Sequence, residues 1–138
     1  MSSAILPPLR PLVPKAGARP LARYSPGMEV APGARLVFVS GQIAVDADGK
    51  TPDSAEAQTE LCFAAIRSVL AEAGMELSDI VRLNAYVTAR EHMQGYMRSR
   101  DRQFPGTPPA STLMIVSGFT RAEFLVEIEV IAAAPEQA

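Results

Sequence analysis

Two carboxylates, Glu127 and Glu129, stand two positions apart in the run Phe124-Leu125-Val126-Glu127-Ile128-Glu129-Val130-Ile131-Ala132. Read as a strand, the run puts both on one face with Leu125 and Ile131, neighbours on that face lying about 6.6–7 Å apart. A strand face that carries large aliphatics is usually covered, and a covered carboxylate needs a partner or a chemical task. A carboxylate there could orient or deprotonate water. The same pair also reads as ordinary strand carboxylates, satisfied by neighbours or solvent at a subunit seam.

The other reactive side chains are sparse. Cys62 is the only cysteine and His92 the only histidine. An internal disulfide is therefore impossible, and no zinc site can be built from these two alone, so no metal is expected. Cys62 falls on an apolar helical stripe and reads as packing rather than as a nucleophile. His92 has no visible partner and falls near a helix start. Arg98, Arg100 and Arg102 cluster near the end of the same helix, where the dipole favours cations, and read as a solvated helix end.

The elements that must position these residues follow from periodicity. Leu36–Val39 reads as a strand, and Gly41 in Ser40-Gly41-Gln42 marks a bulge or a close backbone approach before Ile43-Ala44-Val45. Asp53 is placed to cap a helix, with Glu56 three residues on. That helix carries Ala55, Thr59, Cys62, Ile66, Val69 and Ala73 as its buried stripe and Gly74 beyond its end. Ile80–Thr88 alternates, with Val81, Leu83, Ala85 and Val87 on one face and Arg82, Asn84 and Tyr86 on the other. A second helix is expected from about Glu91 to Gln103. A proline-rich loop then leads to a strand from Ala110 to Val116, and a short turn near Gly118–Arg121 leads to the last strand as its antiparallel neighbour.

These elements predict an α+β fold: one mixed sheet with two helices on one face. Two helices cover one side of such a sheet, so the apolar residues on the other side predict an oligomer. The expected organisation is a proline-rich arm over residues 1–27 and a single domain over 28–138. The arm holds six of the twelve prolines and no acidic residue. It lacks the apolar run of a secretory signal, and its prolines spoil a transit helix. With one cysteine and no membrane-span-length apolar run, a cytoplasmic protein is expected. Net charge is −2 and the pI is about 5.4, which argues against nucleic acid and anionic membrane as partners.

The chain resembles the Rid family (reactive intermediate imine/enamine deaminase; older names YjgF and L-PSP). The resemblance spans about Tyr24 to Ala133. It rests on Tyr24, Val39-Ser40-Gly41-Gln42-Ile43, Val69-Leu70-Ala71-Glu72-Ala73-Gly74, Ser78-Asp79-Ile80-Val81, Pro109-Ala110-Ser111-Thr112 and Leu125-Val126-Glu127-Ile128-Glu129. It implies a chorismate-mutase-like fold assembled as a homotrimer, with small-molecule clefts between subunits. It also implies hydrolysis of 2-imino or 2-enamino acids without a cofactor. Carried over by position, Glu127 is the water-orienting acid, Tyr24 lines the cleft, and Gly41 offers a backbone amide beside Ser40. Family deaminases have arginine immediately after Pro-Ala, where this chain has Ser111, and many have cysteine where it has Leu113.

Serine cannot make the charge-assisted fork of arginine on a carboxylate. A different substrate is therefore expected, with Ser111, Thr112 and Leu113 lining its pocket. Another arginine could replace the missing one: Arg23, beside Tyr24, or Arg98 and Arg102. Alternatively catalysis is lost, leaving a small-molecule-binding or regulatory trimer, with a holdase a further possibility. Some family members are described as endoribonucleases. That reading draws little from a chain without a basic strip interleaved with aromatics.

Overall fold

The computed structural model describes residues 8–136. They form six strands and two α-helices: β1 Leu9–Leu12, β2 Gly27–Val30, β3 Arg35–Gln42, α1 Ala55–Ala71, β4 Ile80–Val87, α2 Met93–Gln103, β5 Ala110–Ile115 and β6 Val126–Ala134. The main sheet runs β3-β6-β4-β5. The α2 connection makes β4 and β5 parallel, as a helix-long crossover should. The last two strands are not the antiparallel neighbours that the short turn suggested. Strand β6 inserts between β3 and β4 and is antiparallel to both. The physical reason is burial: Val126, Ile128, Val130 and Ala132 are all buried, whereas β5 has no fully buried residue. The more apolar strand takes the two-sided central place, and residues 116–125 carry the chain across β4.

Both helices pack on one face of this sheet, with Phe63, Ile66 and Leu70 of α1 and Tyr96 of α2 against Leu83, Ala85, Val87, Val126 and Ile128. The N-cap of α1 is Ser54, not Asp53. The Ser54 hydroxyl accepts from the Ala57 N–H at 3.1 Å, because it directly precedes the first helical residue. Ala55, Thr59, Cys62 and Ile66 are buried as the stripe predicts, but Val69 is 40% exposed and Leu70 takes its place. A 3.6-residue period carries the stripe from Ile66 to Leu70. Gly74 closes the helix at φ +68°, with Met75 N–H on the Leu70 carbonyl and Gly74 N–H on the Ala71 carbonyl. Helix α2 begins after a 3₁₀ turn at Arg90–His92.

The other sheet face is open. It carries Phe38, 71% exposed, together with exposed Leu36 and Met114. Strand β1 of the arm pairs antiparallel with β2, which runs past the expected boundary at residue 27, Leu9 opposite Val30 and Leu12 opposite Gly27. The first seven residues of the arm lie outside the described residues. The arm is tied to the proline-rich loop by Ser25, whose N–H donates to the Pro109 carbonyl at 3.1 Å and whose hydroxyl donates to the Pro108 carbonyl at 2.5 Å. Among the described residues, no helix is long and apolar enough to cross a membrane.

Candidate functional site

Glu127 and Gly41 meet at a bulge. On β3, Val39 is opposite Val130 and Gln42 is opposite Ile128, so β3 has an extra residue at Ser40-Gly41. This is the irregularity that glycine in a strand pattern predicts. The Glu127 side chain lies over Gly41: a Cβ at residue 41 would stand 2.5 Å from Oε2 and 2.9 Å from Cδ. The close approach, not the backbone, favours glycine here: its φ is not in the left-handed region, and a Cβ would push the Glu127 carboxylate aside. Glu127, Glu129 and Ile131 share the half-open face as the alternation predicts, whereas Leu125 precedes β6 and packs against the core.

Neighbouring strands add polar groups to this face. Tyr86 of β4 is the register partner of Glu127, and its hydroxyl donates to Glu129 Oε1. That hydrogen bond, more than burial, raises the Tyr86 hydroxyl above its ordinary value. Arg82 donates to the Thr112 hydroxyl at 2.6 Å. A shallow cavity of about 260 Å³ is lined by Phe38, Ser40, Asn84, Glu129 and Ile131. Glu129 is thus held by a structural partner, while Glu127 faces the bulge.

Two buried residues hold the strand that presents Glu127. The Gln58 amide donates to the carbonyls of Pro52 and Glu123 at 2.8 Å each and accepts from Leu125 N–H at 2.8 Å. This fixes the backbone two residues before Glu127. The Cys62 thiol donates to the Gln42 carbonyl at 3.3 Å. Burial, and then the charge of Glu127, pushes the thiol up to about 12. It therefore stays protonated and packs, as its stripe position predicts.

Ser111 and Leu113 lie on the opposite side of the sheet from Glu127. They pair with Leu83 and Ala85, whose side chains are in the helix-side core. Tyr24 is half-buried and precedes Ser25, which bridges to Ala110 at the start of β5. One chain therefore brings Glu127 to Gly41 beside Ser40 and sets Ser111 and Leu113 on the other side of the sheet, with Tyr24 next to the bridge at the start of β5. Thr112 joins neither group, since Arg82 holds it on the open face.

The candidate replacement arginines are engaged elsewhere. Arg23 donates from Nε and Nη2 to the Phe104 carbonyl at 3.2 and 2.7 Å, and from Nη2 to the Gly106 carbonyl. Arg98 and Arg102 pair with Glu56 at 2.8 and 2.9 Å, and Arg102 also with Glu60 at 2.5 Å. Arg98 first, then Arg102, lowers the Glu56 carboxyl. Burial opposes the same change in Glu60, but hydrogen bonds from Arg102, Ser99 and Gln103 outweigh it. The groove of about 680 Å³ between α1 and α2 is lined by these ion pairs and His92. Arg100 is not part of a solvated helix end. It is buried, pairs with Asp101 and sits 5.7 Å from the Tyr96 ring centroid.

Periodicity alone left out Gln58, Tyr86, Tyr96 and Arg100 as shaping residues. Gln58, four residues before Cys62 and three after Ala55, was visible as a polar member of the buried stripe. Tyr86 was on the polar face of its strand, directly legible from alternation. Arg100 was legible too, since Tyr96 stands four residues before it on α2 and the two share a buried face with Ser99.

The geometry defines a class: a mixed sheet covered by two helices on one face, with a carboxylate poised over a glycine bulge on the uncovered one. The chain belongs to the family described as Endoribonuclease L-PSP, also called Rid or YjgF, whose sequence profile matches residues 15–134. It is 34% identical over 118 residues to the RutC family protein SSO3206 of Saccharolobus solfataricus, covering 83% of this chain and 89% of the relative. It is 31% identical over 102 residues to the RutC family protein YjgH of Escherichia coli, covering 74% and 78%. The crystal structure of YyfB from Yersinia pestis, described as a protein of unknown function of the conserved Rid family, superposes with a TM-score of 0.82. That match has 26% identity and covers 92% of this chain and 99% of that one.

Proposed function

We propose that this chain is a hydrolase of C=N bonds, acting on a small reactive imine or its enamine tautomer in clefts between the subunits of a homotrimer. The observation that carries the reading is the Glu127 carboxylate folded over the Gly41 bulge. There, a base and main-chain groups can share one small polar ligand. Glu127 orients the attacking water and takes its proton, and the nitrogen leaves as ammonia. General-base positioning of this kind contributes typically about 10²–10⁴-fold. Ser40 and Gly41 line the Glu127 side, and Tyr24, Ser111 and Leu113 supply the other wall from a neighbouring copy. No cofactor enters the reaction.

Ser111 favours a second reading, a non-catalytic ligand-binding or regulatory trimer. Losing a hydrogen bond to a charged group typically costs about 1.5–3 kcal/mol, enough to cripple recognition of ordinary 2-imino acids. RNA cleavage draws little support, because Arg98 and Arg102 direct their charge to Glu56 and Glu60.

The test generates imines in place with an amino-acid oxidase or a threonine dehydratase and follows ammonia release. The expected result is acceleration by the wild type and loss of at least about 10²-fold in Glu127→Gln. Equal release with and without protein across acidic, aliphatic and aromatic imines would leave the binding reading standing and end the hydrolase one.

A further inference from the structure

Three of the six residues from Phe104 to Pro109 are proline, so this loop is rich in carbonyls and poor in N–H donors of its own. The arm supplies donors. Arg23 donates from Nε and Nη2 to the Phe104 carbonyl at 3.2 and 2.7 Å, and from Nη2 to the Gly106 carbonyl. Ser25 takes the other end of the loop, its hydroxyl on the Pro108 carbonyl at 2.5 Å and its N–H on the Pro109 carbonyl at 3.1 Å. Tyr24 stands between the two, so both its neighbours in the chain are fastened to the loop. Phe104 is also the C-terminal cap of α2, where carbonyls without helical partners and the helix dipole favour a cation. The arginines in the last turn of α2 turn to carboxylates, Arg100 to Asp101 and Arg102 to Glu56 and Glu60. Arg23 brings a cation to this helix end from the arm, and its planar fork of donors suits two carbonyls at once.

We propose that Arg23 is a positioning residue of the cleft: it joins the arm and the proline-rich loop into one wall and sets Tyr24 beside the start of β5. With the tie made, arm and loop keep one position relative to the end of α2. With it cut, Tyr24 is held from one side only, by Ser25. The inference rests on the cleft proposed above, whose wall on this side holds Tyr24 and Ser111. Arg23 directs its hydrogen bonds to the loop, and the Glu127 carboxylate stands on the open face of the sheet. Losing the tie should therefore weaken substrate binding and spare the chemical step.

The experiment compares Arg23→Ala, Arg23→Lys and Arg10→Ala with the wild type by NMR of ring-labelled tyrosine, by thermal unfolding and by imine hydrolysis. Arg10 is the control, an arm arginine whose partner is Glu29 at 3.1 Å. The chain has three tyrosines, and the Tyr24→Phe variant assigns the Tyr24 ring signal. In Arg23→Ala that signal should move toward the position of a free tyrosine, while Tyr86 and Tyr96 keep theirs and report an intact fold. The melting temperature should change little, since Arg23 is exposed. KM should rise about three- to tenfold, the scale of one lost hydrogen bond, with kcat little changed, the mark of lost binding rather than lost chemistry. Arg23→Lys should restore part of both effects, and Arg10→Ala should show neither. An unmoved Tyr24 signal in Arg23→Ala, an equal shift in Arg10→Ala, or a moved Tyr24 with unchanged KM overturns the proposal. The NMR measurement needs no turnover. A wild type that releases no ammonia ends the hydrolase reading, and the tie is then judged by the tyrosine signals alone.

Discussion

Replacing Gly41 by alanine separates the position of Glu127 from the stability of the fold. The added Cβ would lie 2.5 Å from Glu127 Oε2, 2.9 Å from Cδ and 3.1 Å from Cγ, with no other atom as close. An ordinary contact begins near 3.4 Å, so the carboxylate must retreat by about 0.9 Å and the side chain must change rotamer. A misplacement of about 1 Å can cost about 10²-fold in rate. The backbone should not suffer, because Gly41 does not have positive φ. Leaving the preferred rotamer costs about 0.5–1.5 kcal/mol, and alanine in place of glycine returns about 0.4–1 kcal/mol through the unfolded state. The net change is within about 1 kcal/mol, a melting shift of at most roughly 5 °C for a domain of this size.

Gly33 is the matched control. Its φ is +79° and nothing lies within 4 Å of its added Cβ. Alanine there meets backbone strain of about 1–2 kcal/mol without touching Glu127. The assays are imine hydrolysis by ammonia release and differential scanning calorimetry. Gly41→Ala should lose rate and keep its melting temperature; Gly33→Ala should do the reverse. A Gly41→Ala variant with full activity, or one that unfolds, would refute the reasoning.

Gln58→Ala strands two carbonyls and one N–H at about 1–3 kcal/mol each. It should destabilise the chain by at least about 3 kcal/mol in urea unfolding. The Cys62 thiol, raised by burial first and then by Glu127 from 9.0 to about 12, keeps its proton longer in the folded chain. Its contribution is full below pH 9 and is lost between pH 9 and 12 at about 1.4 kcal/mol per pH unit. The stability gap between wild type and Cys62→Ala should therefore narrow across that window, and parallel curves would contradict it. On the proposed trimeric assembly, Phe38→Asp should give monomers in analytical ultracentrifugation. Each buried Phe contributes about 1.5–3 kcal/mol to association, and the monomer should stay folded because Phe38 is already 71% exposed in one chain.

Local signals in the sequence were strong where one period decides the outcome. Alternation over Ile80–Val87 separates core from open face residue by residue, and glycine at position 41 marked the bulge. Failures came where a choice is settled by residues distant in sequence or by a single residue of helix phase. Sheet order follows from which strand buries more on both edges, so β6 displaces β5 from beside it. Ser54 and Asp53 are both good caps, and one residue of helix phase chooses between them. Val69 and Leu70 are adjacent apolar residues, and only the drift of the helical period decides which is covered. Arg100 is buried with Tyr96 one turn before it and Asp101 next to it on α2, an i, i+4 pair that spacing showed and that the reading of a solvated helix end passed over. For the candidate site, the irregularity at Gly41 was legible, but not that the Glu127 side chain is what approaches it. That Ser111 and Glu127 fall on opposite faces was not, because strand parity shows only once register is known.

That parity constrains the chemistry. Glu127 projects from the open face, while Ser111 and Leu113 project toward the helices, with β4 between their strands. Layers packed on a sheet stand about 10 Å from it, so no small molecule can touch both groups within one chain. A ligand held by both must lie between two copies, one presenting the Glu127 face and the other its β5 edge. The same constraint gives the exposed apolar residues a purpose. Phe38 stands opposite Ile131 and lines the same shallow cavity as Ser40 and Glu129, so on the proposed assembly a chain that covers Phe38 lies over the face that carries the carboxylates. On the proposed assembly, burial of Phe38 and completion of the cleft are one event. On that assembly, a cleft with its base on one chain and its other wall on the next gives a physical reason to leave one sheet face uncovered.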